Sequence, residues 1–259
     1  MKIILTFLFS ILLFQSYFSQ TAEELNIQSK ELLQKQNYKE ALPVLKQAAS
    51  LDSGEAQYNL GNLFINGVGT EQNISEAIKL YKKSSDNNFN DGHYAMMMAY
   101  GNGEGVEQDS EKAFNYALKC ANNNDSTCMW NVVDCYVTGN GTDKNIDEFK
   151  RWILKLAKLP NPENLAQSGY ITSARLELAH FYRDGLYFEK DHYQSYLWYL
   201  IYNEFKVDFS ILKQDEVIKE IKDLEKSLSK EQIKNSAKDA AKLLGRSLNN
   251  RSELYKNSL

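Results

Sequence analysis

Residues 56–81 have the sequence AQYNLGNLFINGVGTEQNISEAIKLY, in which two helical patterns are separated by a glycine-containing turn. The apolar residues of the first pattern have the i, i+4, i+7 and i+8 spacing of one helix face: Ala56, Leu60, Leu63 and Phe64. Gly67 follows this pattern, at a position where helices commonly end in a left-handed residue. The segment therefore predicts one helix before Gly67 and a second helix after it.

The second helix has a predicted start at Asn73, whose side chain can accept a hydrogen bond from a free backbone N–H of the first turn. Glu76 stands three residues later, where a glutamate completes a capping box. The same pairing recurs downstream as Asn145 with Glu148 and Asp191 with Gln194. We therefore expect capping boxes at the start of these second helices.

An offset of 36 residues aligns the chain with itself, which indicates a repeat architecture. A ten-residue insertion around Pro160 and Pro162 interrupts the register. Four columns of the alignment contain closely similar residues: Phe64, Tyr100, Tyr136 and Tyr182; Gly67, Gly103, Gly139 and Gly185; Leu80, Tyr116, Trp152 and Trp198; Asn73, Asp109, Asn145 and Asp191. Tandem two-helix units therefore make up most of the chain.

This pattern resembles the Sel-1-like repeat family, a longer-looped relative of the tetratricopeptide repeats. The resemblance rests on three stretches of the first copy, which later copies keep in part: residues 56–64, 66–69 and 75–81. Phe149 and Ser195 stand where the family has alanine, and Tyr187 replaces the second glycine of the loop. The third and fourth units are therefore expected to be irregular.

The resemblance implies an all-α fold, a right-handed α/α superhelical solenoid of helix pairs. We assign residues 53–205 to four repeats, with the bounds 53–88, 89–124, 125–170 and 171–205. Residues 20–52 resemble a tetratricopeptide-like helix pair. Residues 206–259 are expected to form a helical cap that covers the apolar end of the last repeat.

Within this cap, Ser229 and Gln232 predict a capping box at the start of a helix from about 230 to 244. Basic residues recur every four positions along it: Lys230, Lys234, Lys238, Lys242 and Arg246. Such a run is typical of a solvated helix face, and an edge that binds anions is the alternative.

The composition excludes several classes of protein. A net charge of −4 over 259 residues offers no broad basic field for nucleic acid. Lys2 and the apolar run at residues 3–14 predict a signal peptide over residues 1–19, with a retained anchor as the alternative. We therefore expect an exported, periplasmic or extracellular protein that does not span the membrane and is monomeric.

No catalytic or cofactor site is predicted. The three histidines, His93, His180 and His192, lack metal-ligand spacing, and no nucleophile lies beside a base in the sequence. We therefore predict neither a metal nor a cofactor. Some secreted members of the resembled family bind β-lactams, so a cell-envelope enzyme or enzyme-like protein of that type is the alternative function.

The chain has three cysteines. The resemblance implies a disulfide between Cys120 and Cys128, because bridges in cysteine-rich members join successive helices at this spacing. Cys128 and Cys135 lie two helical turns apart, which exceeds the roughly 7 Å limit between bridged Cα atoms. Cys135 is therefore expected to be a buried free thiol, and three unpaired thiols remain the alternative.

The aromatic columns are expected to form core, with a sugar-stacking stripe as the alternative.

The predicted function is a non-catalytic scaffold that binds a protein or peptide of unknown identity. By the family resemblance, the polar stripe of the first helices lines a concave surface. The partner-binding residues predicted on this stripe are Glu55, Asn59, Asn62, Asn66, Asp91, Met98, Asn102, Asn131, Asp134, Glu177, His180 and Asp184. The stripe contains carboxylates but no Lys or Arg, which favours a partner with basic and amide groups.

Overall fold

The computed structural model of the protein describes residues 20–205 and 214–251, so the expected signal peptide lies outside it. These stretches contain twelve helices and no β-strand: α1 Ala22–Gln34, α2 Tyr38–Ser50, α3 Gly54–Asn66, α4 Ile74–Asp86, α5 Asn90–Asn102, α6 Ser110–Asn122, α7 Ser126–Thr138, α8 Ile146–Ala157, α9 Leu165–Asp184, α10 His192–Glu204, α11 Gln214–Ser227 and α12 Lys230–Leu244. None of these helices is both long and apolar enough to cross a bilayer.

The chain divides into two compact units, Met1–Tyr116 and Ala117–Leu259. In the first unit, each helix from α1 to α5 packs against the next, and α3 also contacts α1 and α5. Small and aliphatic side chains fill the space between these helices: Leu25, Ala41, Leu45, Ala48, Ala56, Leu60, Leu63 and Leu80. This packing of consecutive helices confirms the all-α solenoid class.

In the second unit, α7, α8, α9 and α10 pack in sequence order, and α7 also contacts α9. Both α11 and α12 pack against α10. The Ser229 side chain accepts from the Gln232 N–H, and the Gln232 side chain accepts from the Ser229 N–H. The predicted capping box at the start of α12 is therefore present.

At the helix starts of Asn73, Asn145 and Asp191, the expectation of a complete capping box is wrong. Only the first of the two hydrogen bonds forms, from a backbone N–H of the first turn to the cap side chain. The Asn73 side chain accepts from the Glu76 N–H, as expected. The Asn73 N–H, however, donates to the carbonyl oxygen of Phe64 at 2.8 Å, so it is not available to Glu76. Glu76 pairs with Lys79 instead. At the later helix starts, the N–H groups of Asn145 and Asp191 likewise donate to the carbonyls of Tyr136 and Tyr182.

The two aromatic columns differ in burial. On the second helices, Leu80, Trp152 and Trp198 are buried, as expected of core residues, while Tyr116 is half-buried. On the first helices, every member of the column is half-buried, so the expectation of a full core is wrong there: Phe64, Tyr100, Tyr136 and Tyr182. These residues come three positions before the turn glycine, and Phe64 and Tyr100 pack against the core as partly buried side chains. Tyr182 contacts Phe188 of its own loop, with the ring centroids 4.7 Å apart.

The expected irregularity occurs in the third and fourth repeats. Helix α9 has 20 residues and begins at Leu165, before the predicted boundary at residue 171. Tyr187 adopts a φ of 62°, which is the left-handed conformation that Gly69 has in the first repeat. Its ring packs on Phe149 and Phe181, with centroids 4.8 Å and 5.2 Å away. These ring contacts offset the strain of a side chain in a position suited to glycine.

A disulfide joins Cys120, near the end of α6, to Cys128, near the start of α7. Their Cα atoms lie 5.7 Å apart, within the usual range for a bridge. Cys135 is a free thiol, as expected, although it is half-buried rather than buried. Burial raises its pKa to about 11, so the thiol stays protonated at neutral pH.

Candidate functional site

The predicted stripe begins on α3, where three of its four residues are already engaged. The Asn66 side chain donates to the Asn62 carbonyl within the helix. The Glu55 carboxylate pairs with Lys30 of α1 at 2.7 Å. The Asn62 Oδ1 atom accepts a hydrogen bond of 2.7 Å from the Tyr81 hydroxyl of α4. Asn59 is half-buried and Asn66 is exposed. Glu55 and Asn62 therefore connect neighbouring helices.

On α5, also in the first unit, the predicted residues Asp91, Met98 and Asn102 are all exposed. Met98 keeps 39% of its surface in solvent. Flexible methionine side chains adapt to varied partners. This helix face is the most accessible part of the stripe in the first unit.

In the second unit, the stripe meets an apolar groove of about 260 Å³. Asp134 of α7 and Glu177 of α9 both line it. The remaining lining is apolar or aromatic and comes from α7, α8, α9 and the loop after α9: Trp130, Val133, Val137, Phe149, Ile153, Phe181, Leu186 and Tyr187. The structure thus brings two predicted carboxylates to one apolar surface. The Asn131 side chain instead donates a hydrogen bond to the Thr127 carbonyl within α7.

The end of the stripe on α9 is partly covered. Arg183, which is not a stripe residue, pairs with both Asp184 and Glu220 of α11. His180 Nε2 lies 3.8 Å from a Glu220 carboxylate oxygen. Burial and the charge of Arg183 lower the His180 pKa. Arg183 and His180 therefore contact α11 through Glu220, whereas Asp184 pairs within α9.

One cluster of metal-ligating side chains occurs among the described residues: Cys120, Asp125 and Cys128. Both sulfur atoms belong to the disulfide. The Asp125 carboxylate accepts from the Cys128 N–H at the start of α7. The cluster therefore offers no thiolate ligand while the disulfide is intact.

The structure also places a nucleophile beside a base, which the sequence did not indicate. The hydroxyl oxygen of Ser85 lies 2.6 Å from His93 Nδ1, and His93 Nε2 lies 3.1 Å from Asn88 Oδ1. Ser85 and His93 are 3% and 2% exposed, so no substrate reaches the Ser85 oxygen. The three residues therefore link α4 to α5.

Comparison with known families gives three matches to the Sel1 repeat, at residues 54–89, 92–125 and 172–201. These matches contain the glycine turns, aromatic columns and helix caps of the first, second and fourth units, and they leave residues 126–171 unmatched. The chain is a Sel1-repeat protein. Sel1 repeats are protein-interaction modules. No curated protein matches this chain.

One of the similar solved structures, with a TM-score above 0.5, supports the fold of this Sel1-repeat protein. A Sel1 repeat protein from Oxalobacter formigenes is 21% identical, with a TM-score of 0.61 and coverage of 83% of this chain and 84% of that one. A protective antigen with the same repeat fold from uropathogenic Escherichia coli, c5321, has a TM-score of 0.41 and 18% identity; the match covers 84% of this chain and 50% of that one. Immunity protein Pa5087 from Pseudomonas aeruginosa has a TM-score of 0.40 and 15% identity, with coverage of 95% and 92%.

The apolar part of the groove was absent from the sequence-predicted site. Leu186 and Tyr187 occupy the loop positions where the first repeat has Val68 and Gly69. The replacement of the loop glycine by Tyr187 was visible in the sequence, but it predicted only that the repeat is irregular. In the structure, Leu186 is 52% exposed and Tyr187 packs on Phe149, so this loop of the Sel1 repeat forms part of the groove wall.

Proposed function

We propose that this Sel1-repeat protein is an exported, non-catalytic scaffold that binds a basic, extended protein segment in the groove of its second unit. The single observation that carries the proposal is the joint presence of Asp134, Glu177 and an apolar aromatic surface in one groove. The repeat family supports a role in protein interaction.

The chemistry of the groove specifies the partner. A volume of about 260 Å³ is below the roughly 300–1,000 Å³ of small-molecule sites, so it suits one or two side chains of a larger partner. Phe149 and Ile153 are buried and form its floor, which an aliphatic or aromatic side chain would cover. Asp134 and Glu177 would pair with a neighbouring Lys or Arg and set orientation more than raw affinity.

The exposed face of α5 in the first unit supplies a separate contact surface. Asp91 and Asn102 offer a carboxylate and an amide, and Met98 offers an adaptable apolar contact. These groups suit the same chemistry of basic and amide side chains in a partner.

Export is supported by two features. The basic and apolar pattern of residues 2–14 is typical of a signal peptide. The Cys120–Cys128 disulfide is compatible with an oxidising compartment. Edman sequencing of the protein purified from its native envelope tests export, because a start at Met1 would contradict it.

The binding proposal is tested with random peptides displayed on phage and panned against the mature chain. We expect enriched peptides to combine Lys or Arg with an adjacent aliphatic or aromatic residue. Synthetic versions of these peptides should bind an Asp134→Lys, Glu177→Lys variant at least about tenfold more weakly, a loss of about 1.4 kcal/mol or more.

A matched control reverses two other acidic charges of the second unit. Asp143 and Glu163 are exposed and do not line the groove, so Asp143→Lys with Glu163→Lys changes the net charge equally. This control should keep the affinity within about twofold. Equal losses in both variants, or enrichment of acidic peptides, would contradict the proposal.

A further inference from the structure

A second cavity of about 460 Å³ lies within the second unit, between residues 158–161, helices α9 and α10, and the C-terminal end of α12. Its volume falls within the roughly 300–1,000 Å³ range of small-molecule sites. Four of its lining side chains are cationic: Lys158, Arg175, Lys242 and Arg246. No Asp or Glu is among the described residues that line it.

Three of these cations have no carboxylate partner in the described part of the chain. Lys158, Arg175 and Lys242 take part in none of its ion pairs. Arg246 differs, because it pairs with Glu204 at 2.9 Å. The cavity therefore has a positive charge that the surrounding side chains only partly neutralise.

Arg175 is the buried member of this group, with 1% of its surface exposed. Its guanidinium donates to three neutral oxygens, the carbonyls of Ala157 and Leu159 and the amide oxygen of Asn161. Burial, followed by the charge of Arg246, lowers its pKa to about 10, so it stays charged at neutral pH. A buried cation without a counter-ion is costly, and an anion bound beside it would offset that cost.

The rest of the wall is largely apolar and includes Trp198, Ile201, Phe205 and Leu243. The Arg175 guanidinium lies 4.6 Å from the centroid of the Phe205 ring. Trp198 is 3% exposed, and its indole N–H has no hydrogen-bond partner among the described residues. Buried donors are normally paired, so this N–H is a further donor that an anionic ligand could use.

We propose that this cavity binds a small organic carboxylate, with the acidic group among the cations and an apolar body against Trp198 and Phe205. A carboxylate accepts charge-assisted hydrogen bonds from ammonium and guanidinium groups, and the apolar wall favours a ligand with a hydrocarbon or aromatic part over an inorganic anion.

One wall of the cavity is formed by the part of the chain that departs from the repeat. Lys158, Leu159, Pro160 and Asn161 belong to the insertion region, and the Sel1 repeat matches leave residues 126–171 unmatched. The Leu159 carbonyl and the Asn161 side chain hold the Arg175 guanidinium in place. A regular repeat without the insertion would lack this wall.

The test is isothermal titration calorimetry of the full mature chain with sodium octanoate. Octan-1-ol has the same apolar body without the charge, and inorganic phosphate has charge without an apolar body. We expect octanoate to bind at least tenfold more tightly than either compound. Replacing Lys158→Gln together with Lys242→Gln should weaken octanoate at least tenfold, because both side chains are exposed members of the cationic set and need not alter folding.

The matched control is Lys230→Gln with Lys234→Gln. Both residues are exposed on α12 and lie outside the cavity lining, so the same two charges are removed elsewhere. The control should bind octanoate within about twofold of the unaltered chain. Equal affinity for octanol or phosphate, equal losses in the two double variants, or no octanoate binding would each overturn the proposal. The peptide experiment on the groove is unaffected by any of these outcomes.

Discussion

The backbone N–H of Asn73 donates to the carbonyl oxygen of Phe64 at 2.8 Å. The same bond joins Asp109 to Tyr100, Asn145 to Tyr136 and Asp191 to Tyr182, always nine residues apart. It connects the last turn of each first helix to the cap of the next helix, and so closes the glycine turn between them. The aromatic and cap columns of the repeat therefore correspond to the two ends of one conserved hydrogen bond of the fold.

Asn73→Ala should lower the free energy of unfolding by about 0.5–2 kcal/mol, because it removes the side-chain acceptor for the Glu76 N–H. Asn73→Asp should stay close to the unaltered chain, since Asp is an equally good cap. The backbone bond to Phe64 persists in both variants. Urea denaturation measures the difference, and an equal loss in the two variants would show that the cap side chain is not responsible.

Two glycines of the first unit should respond to alanine with opposite sign. At Gly69, where φ is 72°, a Cβ would lie 2.8 Å from the backbone carbonyl carbon of Tyr38, so Gly69→Ala should destabilise by more than about 1 kcal/mol. At Gly101, inside α5, the nearest atom to a Cβ is 4.0 Å away, and Gly101→Ala should stabilise by about 0.5–1 kcal/mol. Thermal unfolding of both variants checks the signs, and a stabilising change at residue 69 would contradict the turn geometry.

The helix pairs were predictable because the repeat aligns glycines, caps and aromatics at one spacing. The engagement of Glu55 and His180 was not predictable, because their partners lie outside the repeats. Lys30 reaches Glu55 from the preceding helix pair, and Glu220 reaches His180 and Arg183 from beyond the last repeat. Aligning the repeats with one another cannot reveal contacts that they make with residues outside the repeats.

The groove and the cavity proposed to bind a carboxylate could not be predicted from the sequence, for a different reason. Tyr187 and the insertion around Pro160 and Pro162 appear in the sequence only as departures from the pattern. Their role depends on which side chains they meet in space, such as Phe149 and Arg175. The sequence indicated where the repeats are irregular. Only the tertiary contacts show that these irregular segments line a groove and a cavity.

Trp152→Ala should lower the free energy of unfolding by about 3–5 kcal/mol, because the side chain is 1% exposed and its removal leaves a large cavity. The Trp152 indole N–H has no hydrogen-bond partner among the described residues, so Trp152→Phe loses no bond and should cost clearly less. Guanidinium denaturation compares the two variants. An unchanged midpoint for Trp152→Ala would contradict its place in the core and support a ligand-stacking role.

Reduction of the Cys120–Cys128 bridge should lower the free energy of unfolding by about 2–3 kcal/mol, the value for closing a short loop. Cys135→Ala should show the same loss on reduction, since Cys135 is not part of the bridge. In the unreduced native protein, iodoacetamide at pH 8 should label Cys135 far more slowly than after unfolding, because a pKa of about 11 leaves little of the reactive thiolate. Mass spectrometry measures the labelling. An effect of reduction that disappears in Cys135→Ala would contradict the Cys120–Cys128 pairing, and rapid native labelling would contradict the raised pKa of Cys135.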